Sequence, residues 1–304
     1  MEQSFLAYLR GRCRSLPQVS VGIGDDAAVI EPPTGQLIAC TDQIIDGTDF
    51  RSQQLAPDHS LADVGYKSMA INLSDIAAMG AVPTSALVTL SLPKTNATRI
   101  AGEVYEGILQ AAEEFQVAIA GGDISTYEGP LAITVTLLGH VPPNAAWLRR
   151  SAELGDAVLV TGAVGGSILG RHLRPNPRVE LAQILRDSVN VHGAIDISDG
   201  LSLDLDRLCA ASGVGIELNI ATIPIHDDAI VLSEKTGRTP FEHAWSDGED
   251  FELILTMNQA DADKVLEMPL PCEITQIGKM ISRTGLWKHE GTKLVRLSPQ
   301  GYIH

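Results

Sequence analysis

The chain has 304 residues, 44% hydrophobic and 20% charged, enough for two ordinary domains with substantial cores, and it carries a formal charge of −16. So acidic a protein is excluded as a natural nucleic-acid binder, no apolar run is long enough for a membrane span, and four scattered cysteines without a CxxC pair exclude a zinc or disulfide framework. The first residues hold no long apolar segment or small-residue cleavage site, so a cytoplasmic protein is expected.

Residues 19–30 and 36–42 are expected as short strands around EPPTGQ, where Pro-Pro and Gly favour a reversal. Next, 61–81 reads as a helix in which Val64, Ser68, Ile71, Asp75 and Ala78 recur at three- and four-residue steps, putting Asp75 on an apolar stripe. LVTLSLP is a strand, and TRIAGEVYEGILQAAEEFQ is an amphipathic helix with Ile100, Val104, Ile108, Ala111 and Phe115 on one side. VAIAGGDIS reads as a buried strand ending in a tight Gly-Gly-Asp turn, and LAITVTLLGHV as another strand. After VPPNAAW, GDAVLVTGAVGGSILGRHL gives a strand, a Gly-rich turn and a helix, and GAIDISDGLSLDLDRLCAASG repeats that order with Gly213 as the helix stop. VGIELNIATIPI and DFELILTM are further strands, and ADADKVLEM a helix. The expected architecture is α/β (α+β) in two domains, 1–142 and 143–304, divided in the Pro-containing stretch.

Six acids stand out. Asp26, Asp42, Asp123, Asp196 and Asp199 each end an apolar run, and Asp75 sits on its helix stripe. Any single one has an ordinary explanation as a turn residue or helix cap. As a set they are harder to explain, because charges leave water only when paired or metal-bound, and Lys67 is the only Lys or Arg between Arg51 and Lys94. Hard oxygen ligands suit Mg²⁺, which takes a few carboxylates and completes its shell with water and substrate phosphates. That points to ATP and to phosphoryl transfer, which needs positioning and charge neutralisation rather than a protein nucleophile.

No GxxxxGK[ST] loop is present; TGAVGGSILG has the glycines without the lysine and reads either as a phosphate cradle or as a tight strand-to-helix turn, the second being favoured. His59, His140, His172, His192, His226 and His243 lack metal-ligand spacing and read as surface or satisfied core residues. Asp204 and Asp206 are expected on the outer face of a helix, and Asp247, Glu249 and Asp250 in SDGEDFEL form either a solvated turn or a substrate contact.

GIGDDAAV, TDQIIDG, YKSMAINLSDIAAMGAVP, GGDIS, VTGAVGGS, AIDISDGL and GEDFEL resemble, in order, the motif series of the bacterial thiamine-monophosphate kinase family, from about residue 21 to the final GYIH. The resemblance implies the fold of aminoimidazole ribonucleotide synthetase. On that resemblance the N-terminal domain (1–142) would bind ATP and Mg²⁺ and dimerise through its strands, and the C-terminal α/β domain (143–304) would complete the substrate site. It implies ATP- and Mg²⁺-dependent phosphorylation of thiamine monophosphate by direct transfer, without a covalent nucleophile, in a cytoplasmic homodimer that meets neither nucleic acid nor membrane.

Carried over by motif, Asp26, Asp42, Asp75, Asp123, Asp196 and Asp199 would ligate several magnesium ions, with Thr41 and the backbone of Cys40 in the same shell, and Asp42, Asp75 and Asp123 assisting the transfer itself. Gly122, Asp123, Arg150 and Ser198 would contact ATP, and Glu249 and Tyr302 the thiamine part. The family reads TD-x-x-x-E-G-x-H-F where this chain has TDQIIDGTDF, so Asp49 stands in the place of a substrate-contacting histidine. Alternatives are a related ATP-dependent kinase or synthetase with another phosphate-bearing acceptor, or a non-catalytic nucleotide-binding regulator.

Overall fold

The computed structural model describes residues 2–13, 16–23, 27–31, 33–52, 55–56 and 59–303. They divide into two compact units, Met1–Ile76 with Ala81–Asn144, and Ala77–Gly80 with Ala145–His304. Asp26, and the GDD segment it belongs to, lie outside the described residues.

The first unit runs α1 (Glu2–Arg12), β1 (Val19–Val21), β2 (Val29–Ile30), β3 (Gln36–Ile45), α2 (Leu61–Ala78), β4 (Val82–Pro93), α3 (Ala97–Glu114), β5 (Ala118–Tyr127) and β6 (Ala132–Val141). β3, β6, β4 and β5 form a four-stranded sheet in that order, antiparallel except for the parallel β4–β5 pair. Along β6 the alternation of buried Ile133, Val135 and Leu137 with half-buried Thr134, Thr136 and Leu138 shows one face on the core and one open face.

Two expectations are corrected here. The stretch 19–30 is not one strand: β1 and β2 pair with each other in a small antiparallel ladder. Nor does VAIAGGDIS end at its glycines. β5 continues through Gly121, Gly122 and Asp123 to Tyr127, its register against β4 shifting at Ala86/Leu87, so that the bulge absorbs what looked like a turn.

Helix α2 is buried nearly all round: Val64, Met69, Leu73 and Ile76 are fully covered, and so are Lys67, Ser68, Asn72 and Ser74. Each of its larger apolar side chains contributes about 1.5–3 kcal/mol by leaving water. The polar ones need partners. Ser68 donates to Gly65 O at 2.7 Å, Asn72 to Ser68 O at 3.0 Å, and Lys67 Nζ to Asp49 O at 3.0 Å.

The second unit carries β7 (Ala157–Thr161), α4 (Val179–Ser188), β8 (Gly193–Asp196), α5 (Leu201–Ser212), β9 (Gly215–Leu218), α6 (Asp227–Thr236), α7 (Pro240–Ser246), β10 (Leu253–Met257), α8 (Gln259–Glu267), β11 (Ile274–Ile281), β12 (Gly285–Glu290) and β13 (Lys293–Leu297). Its seven-stranded sheet has the order β13-β12-β9-β11-β7-β10-β8, with β12–β9 the one parallel pair. The core gathers Val158, Val160, Ile195, Leu205, Leu208, Ile254 and Ile277. The mixed α/β class expected from the sequence is what both units display.

The helix expected after TGAVGG is absent. Two short 3-10 turns, Ser167–Leu169 and Arg171–Leu173, stand there, because Gly166 and Gly170 adopt positive φ and Pro175 and Pro177 follow before α4 begins. No described helix is long and apolar enough to cross a membrane.

Candidate active site

In the first unit, β3 puts Cys40 and Asp42 two residues apart, so on one side of the strand. Cys40 Sγ lies 3.5 Å from the carbonyl oxygen and 3.6 Å from the side-chain oxygen of Asn72 on α2. Nearly one helical turn on, the Asp75 side chain hydrogen-bonds Asp42. Burial pushes the Asp42 carboxyl above the usual range, while the bond from Asp75 pulls the other way. A shared proton is one way such a pair stays together, and a hard cation is the other. Magnesium is commonly held by one or two carboxylates plus substrate phosphates, so this donor pair fits it.

Asp123 is placed differently. Register sets Asp42, Val135, Val88 and Gly122 in one row across the sheet, and Gln43, Thr134, Thr89 and Asp123 in the next. Neighbouring rows of a pleated sheet present opposite faces. Among the described residues no three His, Cys, Asp or Glu side chains gather closely enough to hold an ion. Asp42 and Asp75 are brought together; Asp123 stands apart on an exposed stretch of β5. Thr41 uses its hydroxyl within the sheet, 3.1 Å from Val135 O and 3.0 Å from the Thr136 hydroxyl. Beside the Gly-Gly-Asp segment lies a cavity of about 800 Å³, lined by Ile23, Ala28, Leu87, Thr89, Gly122 and Asp123. That volume is of the order usual for small-molecule sites. Asp49 turns its carboxylate back on its own loop and accepts from Ile45 N at 2.7 Å.

In the second unit, three segments far apart in sequence interlock. Glu249 N donates to Ser198 O at 2.8 Å, Phe251 N to Ile197 O at 2.9 Å, and Tyr302 N to Asp199 O at 2.9 Å. Ser198, Asp199, Glu249 and Tyr302 are thereby joined through the backbone, next to Asp196 at the end of β8. Arg150 is exposed on a 3-10 turn, Arg149–Ser151, and is not part of this interlock.

Asp204 does not lie on an outer face. It is fully buried and accepts the backbone N–H groups of Ser198 at 3.1 Å and Asp199 at 3.0 Å, holding the loop that carries them. Burial raises its carboxyl, and Arg207, 2.7 Å away, opposes that. Arg207 also pairs with Asp199.

The glycine loop is a tight turn whose donors are spent on protein carboxylates. Gly165 N meets both Asp250 oxygens at 3.0 and 2.9 Å, and Gly166 N meets Asp247 Oδ2 at 3.2 Å. A side chain at Gly165 would fall 2.6 Å from Ala244 N, and one at Gly166 2.5 Å from Ala229 N. Asp250 is buried, with Arg171 Nη2 3.0 Å from its carboxylate, yet desolvation pushes its pKa up to about 7. Glu252 pairs with Arg178 and accepts the Thr161 hydroxyl at 2.5 Å. SDGEDFEL is therefore not a solvated turn: Asp250 and Glu252 face inward. Sequence reasoning passed over Arg171, Arg178 and Asn72 because each is an isolated polar residue whose acid or strand partner lies far along the chain.

Family models match residues 24–141 as the AIR synthase related protein N-terminal domain and 144–286 as the C-terminal domain. A thiamine-monophosphate kinase of Rhodopirellula baltica is 61% identical over 100% of this chain and 97% of its own length. Among solved structures, AaThiL complexed with AMPPCP and TMP is 28% identical with a TM-score of 0.78, covering 93% of this chain and 91% of that one. The E. coli hydrogenase maturation protein HypE, 19% identical with a TM-score of 0.80 over 99% of both chains, shares the fold.

Proposed function

The chain belongs to the thiamine-monophosphate kinase family, and we propose that it is an ATP-dependent phosphotransferase that converts thiamine monophosphate to thiamine diphosphate. The observation that carries this reading is the partly buried Asp42–Asp75 pair, two acids held against each other between β3 and α2. AaThiL, a structural neighbour, was solved with AMPPCP and TMP, which supports the same pair of substrates here.

In this reading a terminal phosphate oxygen of the acceptor attacks the γ-phosphorus of ATP in line, and the bond from that phosphorus to the bridging oxygen breaks, leaving ADP. Magnesium would be held by Asp42 and Asp75; the motif pattern also names Asp26, Asp123, Thr41 and the Cys40 backbone in the first unit, and Asp196 and Asp199 in the second, as magnesium ligands. When bound, it neutralises charge on the transferring phosphoryl group. Gly122, where a side chain would collide with Val88 O, offers its backbone to the triphosphate, and Ser198 and Arg150 supply donors to phosphate oxygens. Glu249 faces the positive charge of the thiamine ring system and Tyr302 offers a face for stacking. Asp49 lies on the acceptor side; its carboxylate is engaged by Ile45 N, which tempers repulsion of the incoming phosphate.

Residues 1–142 take the ATP, magnesium and dimerisation roles, and 143–304 complete the acceptor site. The open face of the four-stranded sheet, where Leu37 is 59% exposed, supports a homodimer formed through these strands. The test is chromatography of thiamine diphosphate formed from magnesium, ATP and thiamine monophosphate. Magnesium-dependent product is the expected result. ATP binding without that product would transfer the acceptor to another phosphate ester.

A further inference from the structure

Resting on the reading of Glu249 as an acceptor-site acid, we infer that His172 is a positioning residue for that site, acting through Glu249. Two consecutive residues on one short turn grip two consecutive residues on another. Arg171 Nη2 lies 3.0 Å from Asp250 Oδ1, and His172 Nδ1 lies 3.2 Å from Glu249 Oε2. The gripped segment has a costly backbone. Glu249 (φ 61) and Phe251 (φ 52) flank Asp250 in the left-handed region that side chains other than glycine rarely occupy.

That conformation is over-determined from several directions. Glu249 N and Phe251 N are tied to Ser198 O and Ile197 O, and Arg171 Nη2 also donates to Gly165 O at 2.9 Å. The contact has an inside and an outside: the His172 side chain is 10% exposed, that of Glu249 34%. The imidazole stands behind and the carboxylate is presented. A glutamate held this way in advance gives up less rotamer freedom when a cationic ligand arrives, so the effect falls on acceptor affinity.

The test uses steady-state kinetics of the full-length chain with magnesium, ATP and thiamine monophosphate, each variant's fold being checked by its thermal melt. His172→Leu keeps bulk and removes the donor; His172→Asn returns an amide N–H near the place of Nδ1. His172→Leu is expected to raise KM for thiamine monophosphate about 10-fold, the scale of one lost hydrogen bond to a charged group, while KM for ATP stays within about twofold. His172→Asn is expected to restore most of the loss, and His172→Leu to cost nothing further in a Glu249→Gln background.

An unchanged KM for thiamine monophosphate, an equal rise in both KM values, or no rescue by the asparagine would overturn the inference. Should the leucine variant fail to fold, His172→Gln, whose amide reaches the Nε2 position instead, replaces it in the same comparison. A wild type that forms no product overturns the kinase reading itself, and a silent Glu249→Gln overturns the placement of Glu249. Each is distinguishable from failure at His172.

Discussion

In the first unit Asp42 lies against Asp75, acid against acid, whereas in the second Asp250 lies against Arg171, Glu252 against Arg178, and Asp204 against Arg207, which Asp199, an expected metal ligand, shares. Nothing local in the sequence separates these two kinds of carboxylate. The difference is the source of countercharge. Where the chain brings its own guanidinium, the acid organises a loop: Asp250 closes the glycine turn, Asp204 closes the loop bearing Ser198 and Asp199, and Glu252 ties β10 to the segment before α4. Where acid meets acid, removing one partner relieves repulsion in the folded state and deletes a ligand from the working one. Structural acids and ligand acids should therefore separate cleanly under mutation.

The largest expected effect is on turnover. Asp42→Asn or Asp75→Asn should lower kcat by at least about 100-fold, by loss of charge stabilisation at the transferring group, with the melting temperature unchanged or raised. A melting temperature that falls with kcat would place these two with the structural acids and break the comparison. Next is stability on the other side. Arg178→Leu leaves Glu252 buried without its guanidinium and should cost about 3 kcal/mol in denaturant unfolding. Gly165→Ala comes third, at about 1–3 kcal/mol from backbone strain and contact with α7, with KM for ATP unaltered because the loop's donors are already used by Asp250. An ATP-specific defect there would reinstate the phosphate cradle.

The last expected effect is a pH dependence. The Asp250 carboxyl is raised to about 7 in the folded chain from its ordinary value of 3.8. Between those two values the folded state binds more protons than the unfolded, so stability falls as pH rises through that window and levels off above it. The slope from this one group is at most about 1.4 kcal/mol per pH unit. Melting temperatures of the wild type and Asp250→Asn across pH 4 to 8 should diverge with that sign. Parallel curves would mean that Arg171 keeps Asp250 ionised throughout.

The relation of sequence to structure follows the same division. Periodicity alone located α2, α3, α5 and most strands, because an apolar stripe facing a core is a local pattern with a fixed repeat. Gly213 was legible as a helix stop because positive φ is a local demand that glycine meets. The ordered motifs from GIGDDAAV to GYIH identified the family, and with it the residues expected on metal and substrates.

Other features depended on pairings that no local pattern encodes. The strand β5 running on through its glycines was decided by the neighbouring strand β4, whose register shift accommodates the extra residue. The short turns before α4 followed from backbone angles at Gly166 and Gly170. Asp204 reads as a surface helix position until its loop folds back and offers it two N–H groups. What the sequence determined was which acids exist and which apolar runs they interrupt. Only the tertiary structure decided which of them meet an arginine and which meet each other, since a charge takes its role from whatever long-range partner replaces the water it has lost.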